Sequence, residues 1–157
     1  MAETWDEAQL IADGFERAYT ELDWYDGPRA GIADVGGEPH YFERYDDYDD
    51  YNDDHDDRPD EEFKVWPASS AALELEREQW RIFARWYERH DAGAAKMETN
   101  PTSGGVDARY DELELLLARH RQAPDDTRRL AGEVRYCGAG PYAVEGPNYW
   151  FRWRPGR

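Results

Sequence analysis

The sequence contains a single cysteine, Cys137, only two lysines and no long apolar segment. One cysteine excludes an internal disulfide framework and a cysteine-rich zinc site, since both need several thiols. No run approaches the ~18 consecutive apolar residues that a membrane-spanning helix requires. The first residues, "MAETWDEAQL", lack the basic and apolar regions of a secretion signal. We therefore expect a cytoplasmic protein that does not bind membranes.

Positive charge is also scarce, because 19 basic residues face 36 acidic ones and the net charge is −17. The imbalance is concentrated, since 22 of the acidic residues lie before residue 63. A field of this sign repels phosphates, so direct binding of nucleic acid is not expected. Aromatic residues, in contrast, are abundant, with seven Trp, eleven Tyr and five Phe. Large rings dominate cores and interfaces, so this composition predicts a folded chain.

Periodicity and turn residues predict one domain over residues 1–157, with three helices. The first helix begins at a capping-box pattern formed by Thr4 and Glu7. Its apolar face consists of Ala8, Ile11, Phe15, Ala18, Tyr19 and Leu22. The second helix lies in "SSAALELEREQWRIFARWYERHDAG", capped by Ser69 or Ser70 and stopped at Gly93. The third lies in "VDARYDELELLLARHRQA" and ends near Pro124.

The β-prone segments predict two hairpins and one further strand. The first hairpin runs from Arg29 to Asp34, turns at Gly36 and Gly37, and returns from His40 to Glu43. The further strand is "EFKVW", and the closing hairpin pairs "RLAGEVRYC" with "NYWFRWR". This order favours an α+β fold, an antiparallel sheet of about five strands packed with three helices. The residues predicted to be buried between helices and sheet are Trp80, Phe83, Trp86, Leu113, Leu116 and Leu117.

Three segments, "YDGPRAGIADVGGEPHYFE", "LEREQWRIFARWYERHDAG" and "ETNPTSGGVDARYDELELLL", resemble a family of small uncharacterised bacterial proteins. The resemblance covers roughly residues 24–118 and rests on the patterns YDGPRxGIAD…GxPHxFE and ExWxIxxRW. Members of that family have His-Pro where this chain has Asn100-Pro101. The resemblance implies a folded domain and brings no activity with it.

The most unusual segment is "YDDYDDYNDDHDD" at residues 45–57, which contains eight aspartates and belongs to an acidic loop over 45–62. One interpretation is a recognition surface for a basic protein, because interfaces are enriched in Tyr and acids steer association. Its residues are Tyr45, Asp46, Asp47, Tyr48, Asp49, Asp50, Tyr51, Asp53 and Asp54. The other interpretation is a solvated loop without a partner.

A calcium loop is the sharpest chemical alternative for this segment. Four residues fall at EF-hand ligand positions, namely Asp50, Asn52, Asp54 and Glu61. His55 occupies the position that requires glycine for the sharp turn, and Pro59 interrupts the exit. We therefore expect no specific metal site.

Other candidate chemistry is sparse. Four polar residues could meet across the first hairpin and polarise a ligand, namely Tyr25, Asp26, Arg29 and His40. Cys137 would need an adjacent base or positive field to act as a nucleophile, and spacing reveals none. The four histidines show no metal-ligand spacing, and no cofactor motif is present, so no cofactor is expected.

Two functions of different class follow from these observations. The favoured one is a non-enzymatic interaction protein that binds a basic protein partner, as immunity proteins, antitoxins and DNA-mimicking inhibitors do. The alternative is a small enzyme or ligand-binding domain whose acidity reflects solubility or a high-salt cytoplasm. The first predicts acids gathered on one surface with aromatics between them, and the second predicts a concave apolar pocket.

Overall fold

The computed structural model describes residues 4–25, 27–45, 61–138 and 142–156. These residues form, in order, α1 (Glu7–Ala12), β1 (Glu16–Trp24), β2 (Pro28–Val35), β3 (Glu38–Arg44), β4 (Glu61–Pro67), α2 (Ser70–Asp91), α3 (Ala108–Leu117), β5 (Arg128–Tyr136), β6 (Tyr142–Ala143), β7 (Gly146–Pro147) and β8 (Tyr149–Pro155). Two 3-10 turns, Met97–Thr99 and Pro101–Ser103, lie between α2 and α3. None of the described helices is long and apolar enough to cross a membrane.

Six strands form a closed antiparallel barrel in the order β1-β2-β3-β4-β5-β8. β8 returns to pair with β1 and closes the barrel, while β6 and β7 form a small separate hairpin. The predicted α+β class is confirmed, and so are the first hairpin, the strand before Pro67 and the pairing of β5 with β8. The sheet differs from the predicted five strands because β1 adds a sixth and removes the open edges.

The first predicted helix is wrong over most of its length. α1 spans six residues, and its capping box is formed by Asp6 and Gln9. The helix stops because Gly14 adopts φ +84°, a left-handed conformation that suits glycine at a helix end. The following residues, "ERAYTELDW", form β1, where Ala18 and Thr20 are both buried. The side chains of this segment therefore alternate between two faces, as in a strand, although the spacing of its apolar residues also fits the 3.6-residue period of a helix.

Aromatic rings fill the barrel interior. Phe151 is 0% exposed and lies 4.8 Å from the ring of Phe42, 5.6 Å from Phe63 and 4.6 Å from Trp153, measured between centroids. Gly132 faces these rings, and a Cβ there would lie 2.9 Å from the Trp153 ring. Because the rings pack this densely, we expect any ligand site to lie outside the barrel interior.

A second core lies on the outer face of the barrel, under α2 and α3. Its buried residues are Ile32, Tyr41, Trp66 and Ala72. The rings of Tyr41 and Trp66 stack with centroids 5.4 Å apart. Because α2 covers this face, β2 and β3 bury side chains on both of their faces.

The predicted helix core is confirmed at Trp80, Trp86, Leu113 and Leu117, all of which are buried. Phe83 is half-buried, and its ring packs against Trp80 and Tyr142. Leu116 was predicted to be buried, which is wrong, since it is 47% exposed. The buried stripe of α3 runs through Leu113 and Leu117, four residues apart, and Leu116 lies beside it.

Truncating these adjacent leucines is expected to have different effects. Leu117→Ala removes a side chain that is 0% exposed and should lower the free energy of unfolding by about 3 kcal/mol. Leu116→Ala should change it by less than about 0.5 kcal/mol. Urea denaturation of both variants measures the difference, and equal losses would show that α3 packs through a wider face.

The alternating strand directions place the C-terminal ends of β1, β3 and β5 at one end of the barrel, together with the N-terminal ends of β2, β4 and β8. The sequence between β3 and β4 includes residues 46–60, which contain nine aspartates and one arginine and lie outside the described residues. We call the end of the barrel formed by these strand ends the acidic end.

Candidate functional site

A cleft of about 390 Å³ lies between the C-terminal half of β1, the two long helices and β6. Its volume falls within the range of small-ligand sites. The aromatic side chains that line it are Trp24, Trp80, Phe83, Tyr110 and Tyr142. The charged side chains that line it are Glu21, Asp23, Glu76, Glu114 and Arg121. The cleft is therefore both aromatic and acidic.

The small hairpin of β6 and β7 forms one side of the cleft. β1 pairs with β8 only at Glu16 and Arg17, and the hairpin then packs against β1. Gly146 makes this approach possible, since a Cβ there would lie 2.8 Å from the carbonyl oxygen of Ala18. The hairpin carries Tyr142 to α2, where its ring centroid lies 5.5 Å from that of Trp80.

Arg121 organises the inner wall of the cleft. Its Nε and Nη2 atoms donate to the two carboxylate oxygens of Glu76 at 2.9 and 2.7 Å. Nη2 also donates to Gln79 Oε1 at 2.6 Å, and Nη1 donates to Glu114 Oε1 at 2.8 Å. Glu76 is only 1% exposed, so this arginine supplies the charge that a buried carboxylate needs.

The Arg121 network also joins the helices to the barrel. The Tyr41 hydroxyl on β3 donates to Glu76 Oε2 at 2.8 Å. Burial raises the pKa of Tyr41, and the adjacent Glu76 carboxylate raises it further. Burial alone would raise the pKa of Glu114, but hydrogen bonds from Arg121 and Gln79 outweigh it and lower that pKa. In the inner wall, the guanidinium of Arg121 thus donates four hydrogen bonds to Glu76, Gln79 and Glu114.

Glu21 stands on the opposite wall in a different environment. The Tyr149 hydroxyl donates to Glu21 Oε1 at 3.0 Å, and Tyr142 also hydrogen-bonds to this carboxylate. Burial raises the pKa of Glu21, and nearby Asp23 adds to the increase. Within the described residues, no basic side chain forms an ion pair with Glu21. The cleft therefore holds a carboxylate whose partners are neutral hydroxyl groups.

Several residues that line the cleft are exposed to solvent. These are Asp23, Thr102 and Glu114, and Trp24 is 43% exposed. The Trp24 ring packs edge-on against Tyr136 with centroids 6.3 Å apart. The exposed side chains leave the cleft open to solvent, with Asp23 and Trp24 at the C-terminal end of β1.

Of the four residues predicted to meet across the first hairpin, three are described, and His40 lies apart from Tyr25 and Arg29. Tyr25 is exposed, and Arg29 forms an ion pair with Asp23 at 3.7 Å. His40 lies at the opposite end of the barrel, where its Nδ1 is 2.8 Å from the carbonyl oxygen of Glu38. Asp26 lies outside the described residues. The separation arises because His40 follows the Gly36-Gly37 turn, at the far end of β2 from Arg29.

Most of the predicted recognition surface, from Asp46 through Asp54, also lies outside the described residues. Tyr45 is described, and its ring lies 4.2 Å from the guanidinium carbon of Arg129 and 5.1 Å from Lys64 Nζ. This tyrosine therefore already binds cations through its π face.

The candidate calcium ligands Asp50, Asn52 and Asp54 are likewise outside the described residues. The fourth, Glu61, pairs with Arg44 at 2.7 Å. Across residues 4–25, 27–45, 61–138 and 142–156, no group of three or more potential ligands is arranged to hold a metal.

Cys137 is a poor candidate nucleophile. Its thiol is partly buried, and burial raises its pKa, with further increases from Glu7 and Asp6. A raised pKa lowers the thiolate fraction at neutral pH and hence the reactivity of the thiol.

Sequence reasoning missed the residues that form the cleft, above all Glu21, Trp24, Arg121 and Tyr142. One signal was available, because Glu76 and Gln79 interrupt the apolar face of α2 between Ala72 and Trp80. A charged residue on a buried helix face requires a partner. The chain position of that partner, beyond the end of α3, follows only from the tertiary structure.

Comparison of the chain with models of protein families, with curated proteins and with solved structures finds no match in any of the three. The resemblance to a bacterial family therefore stays a prediction. Inferences about function rest on the geometry and charge of the cleft and the acidic end.

Replacing Glu21 by glutamine is expected to stabilise the fold at neutral pH. The pKa of Glu21 is raised in the folded state, so the stability that its protonated form contributes is present at low pH and is lost as pH rises through the folded pKa. Glutamine mimics the protonated form. The Glu21→Gln variant should thus melt above the wild type at pH 7, and the difference should shrink near pH ~4. Exposed Glu38 at the opposite end offers the matched control Glu38→Gln, and a Glu21→Gln variant that melts below this control at pH 7 would contradict the assignment.

Proposed function

We propose that this chain is a non-enzymatic acidic interaction protein that binds a basic protein partner at the acidic end of its barrel. The observation that carries the proposal is the charge at that end. The sequence between β3 and β4 contains nine aspartates, and the described ends of these strands, Arg44 and Glu61, lie at the same end of the barrel as Asp23. Two arginines of the same end, Arg29 and Arg44, already form ion pairs with Asp23 and Glu61. A basic partner would supply the missing positive charge.

Aromatic residues at this end support the same function. Trp24, Tyr25 and Tyr45 are exposed large side chains beside the carboxylates. Trp and Tyr are enriched at binding hot spots, and their π faces attract cations. Acids would steer the partner toward this surface, and the rings would supply contact area once it arrives. Immunity proteins, antitoxins and inhibitors are the classes of acidic interaction protein that we favour for this chain, with DNA mimicry a narrower form of the same function. The free thiol of Cys137 suits the cytoplasmic location that we also propose.

The test compares two variants that lose the same amount of charge. The first replaces six residues of the acidic segment with asparagine, namely Asp46, Asp47, Asp49, Asp50, Asp53 and Asp54. The control converts six exposed acids elsewhere to amides, namely Glu38, Glu74, Glu88, Asp91, Asp125 and Asp126. A partner captured on the wild-type protein from its source cells is purified, and its association rate is measured by surface plasmon resonance.

The segment variant should associate at least ~10-fold more slowly at low salt than the wild type, and its rate should depend less on salt. The control variant should lose less, because its six acids lie outside the acidic segment. Equal association rates and affinities for the wild type and the segment variant would exclude the acidic segment as the recognition surface.

A ligand-binding or enzymatic function is the second candidate, and the cleft is the observation that favours it. Glu21, with its raised pKa, would suit a proton donor to a bound ligand. Thermal denaturation with a panel of neutral polar compounds tests this function. A ligand-binding or enzymatic function predicts that a neutral compound raises the melting temperature of the wild type but not that of Glu21→Gln.

A further inference from the structure

We propose that the cleft beside β1 receives one arginine side chain of the basic partner, with Glu21 as its counter-charge and Trp24 and Tyr142 as its aromatic walls. The inference rests on the proposed function and assigns one residue of that partner to one site. The proposed contact involves side chains that line the cleft and does not involve the acidic segment.

The charges within the cleft favour a cationic occupant. Four carboxylates line it, and among the described lining residues Arg121 is the one cation. The guanidinium of Arg121 is taken up by Glu76, Gln79 and Glu114. Asp23 pairs with Arg29 at 3.7 Å, whereas Glu21 accepts hydrogen bonds from hydroxyl groups and forms no ion pair within the described residues. A partly buried carboxylate of this kind is stabilised by an incoming cation, and charge-assisted hydrogen bonds are the stronger kind.

The aromatic walls select the type of cation. Trp24, Trp80 and Tyr142 line the cleft together with Glu21, and Tyr142 hydrogen-bonds to that carboxylate. A guanidinium group is planar, stacks on rings, forms paired hydrogen bonds to a carboxylate and is more weakly hydrated than an ammonium group. An arginine therefore loses less hydration than a lysine on entering a partly buried aromatic site.

The same combination of groups occurs elsewhere in this fold with an arginine of its own chain. The guanidinium carbon of Arg135 lies 4.2 Å from the ring centre of Trp5 and 4.4 Å from that of Phe15. Arg135 Nη1 also donates to Asp13 Oδ2 at 2.8 Å. Two rings and a carboxylate thus hold one guanidinium there, whereas within the described part of the chain Glu21 forms no ion pair with a guanidinium.

The cleft lies at the end of the barrel where we propose that the partner binds. Its rim residues Asp23 and Trp24 end β1 at the acidic end. A partner bound at this end would therefore lie close to these two residues. One side chain could then reach Glu21 without a change in the barrel.

The test uses single amino-acid analogues, which cannot span the acidic segment and the cleft together. N-acetyl-arginine methylamide is titrated into ¹⁵N-labelled protein, and the indole N–H signals of Trp24 and Trp80 are followed, assigned with Trp24→Phe. The lysine analogue and the neutral citrulline analogue are titrated in parallel. The arginine analogue should shift both signals saturably, the lysine analogue should bind more weakly, and the citrulline analogue should not bind.

The Glu21→Gln variant should bind the arginine analogue at least ~10-fold more weakly than the wild type, while the affinity of Glu38→Gln should stay within about twofold of the wild type. A Trp24→Leu variant should also bind the analogue more weakly, and Tyr25→Leu, just outside the cleft, should not. Equal binding to the wild type and Glu21→Gln would overturn the cleft assignment and leave the partner-binding proposal standing on its own test. Equal affinity for the lysine analogue would overturn the choice of arginine. Partner binding that is unchanged in Glu21→Gln, while the wild-type cleft binds the arginine analogue, would overturn the partner as the source of that side chain.

Discussion

Replacing Arg121 by glutamine should lower the free energy of unfolding by about 4 kcal/mol, because the change leaves a buried carboxylate without its counter-charge. Glu76 is 1% exposed and receives two hydrogen bonds from this arginine. Gln79 and Glu114 lose a partner in the same step. Denaturation in urea at pH 7 measures the loss. A further change of Glu76 to glutamine should recover part of it, since the uncompensated charge is then removed.

The matched control for this prediction is Arg109→Gln. Arg109 also forms two ion pairs, with Glu78 at 2.5 Å and with Glu112, but both lie on the exposed surface of the helices. Surface ion pairs contribute little, so the control should cost less than about 1 kcal/mol. A loss for Arg121→Gln as small as the control would mean that water reaches Glu76 and that the inner wall of the cleft is open.

Phe151→Ala should also cost about 4 kcal/mol of unfolding free energy. Its ring is 0% exposed and contacts Phe42, Phe63 and Trp153, so truncation removes the centre of the barrel interior. The remaining rings cannot close the cavity without leaving their rotamers.

Tyr25→Ala is the aromatic control for this truncation. Tyr25 is 70% exposed at the β1 to β2 turn, so its loss should change the unfolding free energy by less than about 0.5 kcal/mol. Thermal and urea denaturation of both variants measure the contrast. A small loss for Phe151→Ala would contradict a filled barrel and would indicate that a ligand could enter its interior.

The fold was predictable where a local signal and the tertiary structure agree. Gly36 and Gly37 both adopt positive φ, so the turn between β2 and β3 follows from their sequence. Ser69 caps α2 through its side chain, as the sequence predicted. At "ERAYTELDW" the local signal is ambiguous, since the apolar residues fit a helix face and a strand face equally well. Pairing with β2 and β8 decides in favour of the strand, and closure of the barrel depends on it.

The candidate site was much less predictable than the fold. Glu21 and Tyr142 lie 121 positions apart in the sequence, and only the inserted hairpin brings them together. Arg121 reaches Glu76 across the two helices, a contact that neither helix pattern contains. The acidic composition also gave no indication of Glu21, a carboxylate that forms no ion pair within the described residues.

The most direct measurement is the map of partner contacts in a ¹H–¹⁵N spectrum of the labelled protein with the purified basic partner at equal concentration. We expect the largest changes at the acidic end, in the amides of Tyr25, Tyr45 and Glu61 and in the indole signal of Trp24. Glu21→Gln should remove the change at the Trp24 indole while the other changes remain. Changes confined to the exposed leucines of α3, Leu115 and Leu116, or to the Gly36-Gly37 turn at the opposite end, would contradict binding at the acidic end.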